Sequence, residues 1–93
     1  MKRNMDLIRE ILLNPSKASD IKGYDIKTIC FHVMLLEDAG FVRFGMLTEE
    51  GKLYAKVIED EAVWNQAKEL VLKKTGSLSF YGLLIALDKL RVT

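Results

Sequence analysis

The chain has 93 residues, 49% of them hydrophobic, enough to bury one modest core but too few for a second independent domain. Fourteen Lys and Arg face thirteen Asp and Glu, so no global positive field marks a nonspecific polyanion binder, and any nucleic-acid contact must rest on a local patch. A single cysteine, Cys30, excludes an internal disulfide framework and fits a reducing, cytoplasmic address, while no run approaches the roughly 18 apolar residues that a membrane span needs. The opening MKRNMDLIREILL is interrupted by Asp6, Arg9 and Glu10, which argues against a signal peptide.

Asn4 can cap a first helix in which Met5, Ile8, Ile11 and Leu12 share one face, and Pro15 ends that pattern. The turn-forming stretch NPSKASDIKGYD leaves room for one or two helical turns, around Lys17 to Ile21. Asp25 is placed to cap a helix from Ile26 to about Ala39, with Ile26, Ile29, Val33 and Leu36 as its core stripe and Gly40 as its stop. FVRF then reads as a short strand, GML as its turn and return, and Thr48 as the next cap. Helical spacing follows through Leu53, Tyr54, Val57 and Ile58, and again through Val63, Trp64, Ala67, Leu70 and Val71, as one helix or two. Gly76 breaks it, a serine at 77 or 79 can restart it, and Phe80, Leu83, Leu84, Leu87 and Leu90 line a last amphipathic helix.

The fold class is therefore mainly α with a small β-hairpin, as a single domain over 1–93. Residues 1–60 form a core with the hairpin at about 41–48, and 61–93 form a C-terminal helical extension. Charge follows its own division: basic through Lys2, Arg3, Arg9, Lys17, Lys22 and Lys27, acidic in the middle through Glu37, Asp38, Glu49, Glu50, Glu59, Asp60 and Glu61, and basic again at the end.

ICFHVMLLEDAGFV followed by LTEEG, a helix ending in an acidic-Ala-Gly turn, an aliphatic pair and LT-x-x-G, resembles the winged helix-turn-helix superfamily over Thr28 to Gly51. The resemblance implies that 26–39 is a recognition helix and 41–47 a wing. A second likeness covers nearly the whole chain. MKRNMDLIREIL, HVMLLEDAGF, LTEEG, VWNQAKE and GSLSF resemble a family of short bacterial and phage proteins described only as a domain of unknown function. It implies the same architecture and a bacterial or phage origin, and brings no activity with it.

The recognition helix is a poor match to groove chemistry. With Ile29, Val33 and Leu36 turned inward, its outer face contains Lys27, Thr28, Phe31, His32, Met34 and Leu35. Direct readout relies on Arg or Lys at guanine and Asn or Gln at adenine, with cations at phosphates. Candidate contacts to double-stranded DNA are Lys27, Thr28 and His32 in the groove, Arg43 on the wing, and Lys2 and Arg3 as a basic arm, with Lys17 and Lys22 flanking the short element. The competing reading is a protein-protein interaction module on the same scaffold. Its contacts would be Phe31, Met34 and Leu35, or Leu83 and Leu87 of the last helix, with a homodimer or a host or regulatory protein as partner. A dimer would also set two recognition helices on one duplex, as a transcriptional regulator requires.

Catalysis, metal and cofactor find no support in the residues. Cys30 and His32 lie two apart on a helix, which turns their side chains about 200° from one another. There is no C-x-x-C or H-x-x-x-H pair and no glycine-rich phosphate loop, since Gly23, Gly40, Gly45, Gly51, Gly76 and Gly82 are isolated. The expectation is a protein that is not an enzyme.

Overall fold

A computed structural model describes residues 4–76 and 79–92. It contains α1 (Met5–Leu13), a 3-10 segment (Pro15–Asp20), α2 (Ile26–Asp38), β1 (Val42–Arg43), β2 (Met46–Leu47), α3 (Glu49–Glu59), α4 (Glu61–Thr75) and α5 (Phe80–Val92). The two strands pair antiparallel as Val42 with Leu47 and Arg43 with Met46. The mainly α class with one small hairpin is thus the observed fold, and residues 49–75 form two helices rather than one.

Each boundary has a local chemical cause. The Asn4 side chain accepts from the backbone N–H groups of Asp6 and Leu7, satisfying two of the donors that open α1. Asp25 accepts from Thr28 N–H and opens α2 in the same way. At the other end of α2, Phe41 N–H donates to the Leu36 carbonyl and Gly40 N–H to that of Glu37, with Gly40 at φ 82°. That is a Schellman closure, and only glycine takes the left-handed position at no steric cost. Asp60, at ψ 112°, ends α3 and caps α4 through Ala62 N–H, which is why the acidic EDE step divides the two helices. Ser79 opens α5 by accepting from Gly82 N–H; the other serine expected there, Ser77, lies outside the described residues.

The core gathers around α1, which packs on α2, α3 and the 3-10 segment, while α4 and α5 pack mainly on one another. Leu7, Ile8, Ile11 and Leu12 meet Ile29 and Leu36 of α2, Phe41, Val42, Tyr54, Ile58, Trp64 and Leu87 in one continuous cluster. Phe41 and Tyr54 stack with ring centres 4.6 Å apart. The Tyr54 hydroxyl donates to the Asp88 carboxylate, joining α3 to α5. Two expectations for α2 need correcting. Ile26 was assigned to the core stripe but is 58% exposed, because the first residue of α2 meets a cleft beside the 3-10 segment. The stripe instead runs through Ile29, His32 and Leu36, and Val33 is half-buried beside it.

The LT-x-x-G pattern has a packing explanation. Thr48 accepts from Gly51 N–H and donates to the Gly40 carbonyl, tying the start of α3 to the end of α2. Gly51 lies so close to the backbone of Phe41 that an added Cβ would stand 2.0 Å from its carbonyl oxygen. Backbone must move to admit any side chain there. Gly51→Ala is expected to destabilise the fold by about 1–3 kcal/mol through overpacking, read as a lower urea midpoint at unchanged slope. An exposed control such as Lys52→Ala should shift by less than about 0.5 kcal/mol.

Candidate interaction surface

The residues assigned to DNA differ in their exposure. Lys27 is exposed in the first turn of α2 and Arg43 is exposed on β1. Thr28 is half-buried, its N–H given to Asp25 and its carbonyl facing His32 Nδ1 at 2.7 Å. Lys2 and Arg3 lie outside the described residues.

His32 is a correction. Expected on the outer face of α2, it is completely buried. Its Nε2 accepts from the backbone N–H of Asn4 at 2.8 Å, so Nδ1 carries the proton that points at the Thr28 carbonyl. Both nitrogens are used and neither reaches a groove. Phe31 stands edge-on to the imidazole with ring centres 5.4 Å apart and is itself half-buried. The spacing Ile29, His32, Leu36 carried the signal, since three and seven residues share a helical face.

Polar side chains of α1 make further ties. The Asp6 carboxylate accepts from Trp64 Nε1 at 3.0 Å and Lys68 Nζ at 2.9 Å, binding α1 to α4. The indole N–H first, and the ammonium second, hold the Asp6 carboxyl below the usual carboxylate range. Arg9 donates to the carbonyls of Ile58 and Glu59, which α3 leaves open at its C-terminus. Asn4 Nδ2 donates to the Tyr24 hydroxyl.

The partner contacts proposed on the last helix are also corrected. Leu83 and Leu87 are each only 3% exposed, because α5 turns them onto the core. Leu35 is half-buried against the same core, and Met34 alone of the α2 trio stands clear, at 58%. Ile26, Cys30 and Met34 follow one another at four-residue intervals along the outside of α2. With Val33, Glu37 and the 3-10 residues Pro15, Ser16 and Ser19 they line an open cleft of about 360 Å³. Cys30 is exposed and His32 buried, so the two do not meet.

The hairpin supplies a second apolar group that the sequence reading passed over. Gly45 turns and Met46–Leu47 pair back as expected of GML, but the turn also takes in Phe44 from the FVRF run, and the two tip residues have φ of 55° and 74°. Two consecutive positive φ values fit the type I′ connection, which favours Asn-Gly. A phenylalanine occupies the asparagine place, 91% exposed, and Met46 beside it is 68% exposed. The pairing register, visible only in the structure, puts residues 44 and 45 at the tip. The 3-10 segment touches both α2 and β2, placing the hairpin one element from the cleft. Among the described residues no three His, Cys, Asp or Glu side chains gather as metal ligands would, and no helix is long and apolar enough to cross a membrane.

These features define a mainly α protein with a capped helix and a two-residue hairpin presenting apolar side chains. The chain belongs to the same family as an uncharacterized protein of Haemophilus influenzae, with which it is 31% identical over 101 aligned positions, spanning 85% of this chain and 86% of that one. No family model matches the chain, and no solved structure matches it.

Two measurements check the ties. His32→Ala should cost about 2–4 kcal/mol, from the cavity and the stranded Asn4 N–H; a loss under about 0.5 kcal/mol would mean that the ring is a surface group. For Asp6, a folded pKa below the unfolded one gives stability that is present at neutral pH and lost as pH falls through the acid range below about 4. Asp6→Asn should therefore flatten the acid limb of a urea-midpoint profile. At neutral pH its cost should be only about 1 kcal/mol, because the carboxyl is 68% exposed and screened by solvent.

Proposed function

We propose that this chain is a protein-interaction module on a winged-helix-like scaffold, with the outer edge of α2 and the hairpin tip as its contact surface. The observation that carries this reading is Phe44, a bulky aromatic, almost fully exposed, in a backbone conformation that disfavours it. Such a residue costs stability at that turn and contributes nothing to the core. A surface that recruits an apolar partner supplies a reason for it. Met46, Met34 and Ile26 extend the same apolar chemistry, the two thioether side chains being able to adapt to an apolar anchor. Glu37 and Asp38, exposed at the end of α2, suit a partner that carries positive charge beside that anchor.

Double-stranded DNA is the second reading, favoured by the exposed Lys17, Lys22 and Lys27, for which no ion pair occurs among the described residues. In that reading Arg43 and Phe44 would enter a minor groove as cation and apolar wedge. Against it stands the rest of the outer face of α2, which supplies Ile26, Cys30 and Met34 where base readout calls for Arg, Asn or Gln.

A photo-crosslinking amino acid placed at 44 or 34 should capture one discrete protein from a bacterial lysate, and the same group at the exposed Gln66 should not. Met34→Asp should weaken that capture at least tenfold while leaving the fold intact, and Phe44→Asn should weaken it while raising stability by about 0.5–1 kcal/mol through relief of the turn. Equal capture from all three positions would sink the proposal. If pooled genomic fragments are instead retarded at low salt, with binding lost on Lys27→Glu, the DNA reading takes its place.

A further inference from the structure

Helices α4 and α5 pack together along most of their length but leave one cleft open between them, of about 180 Å³. Its walls are Leu70 and Val71 from α4 and Ile85 and Ala86 from α5, with Lys74 and Lys89 at its mouth. Gly82 closes one end, where an added Cβ would stand 2.8 Å from Ser79 Oγ and 3.1 Å from Val71 Cγ1. Among the described residues no carboxylate lines the cleft.

Lys74 and Lys89 both line this largely apolar cleft, and like charges brought together there repel. The neighbouring Lys74 ammonium holds the Lys89 amine below its usual range. An anion bridging the pair would replace this repulsion with two charge-assisted hydrogen bonds. The floor is mostly apolar, with Thr75 beside it, and its size is near that of engineered cavities of about 150 Å³ that hold a single benzene ring.

We propose that the α4–α5 cleft binds a small carboxylic acid with an apolar body of about one ring, the carboxylate between Lys74 and Lys89 and the body against Val71, Ile85 and Ala86. The site lies on helices other than those of the α2 and hairpin surface and does not depend on that surface being a contact. Its ligand is a free small molecule, because a cleft one ring deep accommodates the whole body of the acid.

Phenylacetate and hexanoate serve as probes, with phenylacetamide as the uncharged twin of the first. In proton-carbon NMR spectra of the full chain, phenylacetate should produce saturable shifts of the Val71, Ile85 and Ala86 methyl signals. Phenylacetamide should bind at least tenfold more weakly, the loss expected when a bond to a charged group is removed. Lys74→Gln and Lys89→Gln should each weaken phenylacetate to a similar degree with no effect on the amide, and Lys52→Gln should change neither. Ile85→Arg fills the cleft from a half-exposed position and should abolish the shifts while the remaining spectrum stays folded. Equal binding of acid and amide, shifts confined to other methyl groups, or no saturation up to tens of millimolar probe would each overturn the proposal.

Discussion

The backbone N–H of half-buried Asn4 donates to the fully buried ring of His32, and the placement of the helices depends on how that contact is completed. A donor withdrawn from water without a partner costs about 1–3 kcal/mol, so the imidazole must present an unprotonated nitrogen at that point. It does so because the other nitrogen faces the carbonyl of Thr28, one turn earlier on α2. The same Asn4 caps α1 with its side-chain oxygen and reaches Tyr24 with its amide nitrogen. One residue thus fixes where α1 begins and where α2 lies against it. Asp6 and Arg9, two and five residues on, extend the arrangement to α4 and to the end of α3. Apolar burial supplies most of the driving force, but it is nearly indifferent to rotation about a helix axis. These directional bonds select one rotation.

That division of labour explains what could be read from the amino acids. Turn and cap chemistry is local, so Asn4, Asp25, Gly40, Thr48 and Gly76 announced their boundaries, and the period of Ile8, Ile11 and Leu12 announced the face of α1. His32 is hard to place because its residue type argues for the surface while its spacing argues for the core. Polar residues are usually exposed, and only a partner 28 positions away makes burial tolerable. Ile26 erred in the opposite direction, being apolar and in phase but at the end of its helix. Leu83 and Leu87 looked available for a partner because nothing local indicates that a last helix folds back over its own chain.

The surface was less legible than the core for a related reason. A core residue is constrained by neighbours whose periodicity shows in the sequence; an exposed one is constrained by something outside the chain. Phe44 shows the difference well. Its identity conflicts with the turn it occupies, and the conflict becomes visible only once the register of Val42 with Leu47 is known. Local rules broken without benefit to the fold are where function is best sought.

Family likeness points elsewhere. The stretches MDLIR, HVMLLEDAGF and VWNQAKE contain Asp6, Arg9, His32, Trp64 and Lys68, the residues that tie the helices together. A shared pattern built on such residues transmits an architecture, because replacing any of them disturbs packing whatever the protein does. It transmits no activity, since Ile26, Cys30, Phe44 and Met46 contribute little to those ties and can change without unfolding the chain. Two relatives can therefore share the whole scaffold while differing along the outer edge of α2 and at the hairpin tip.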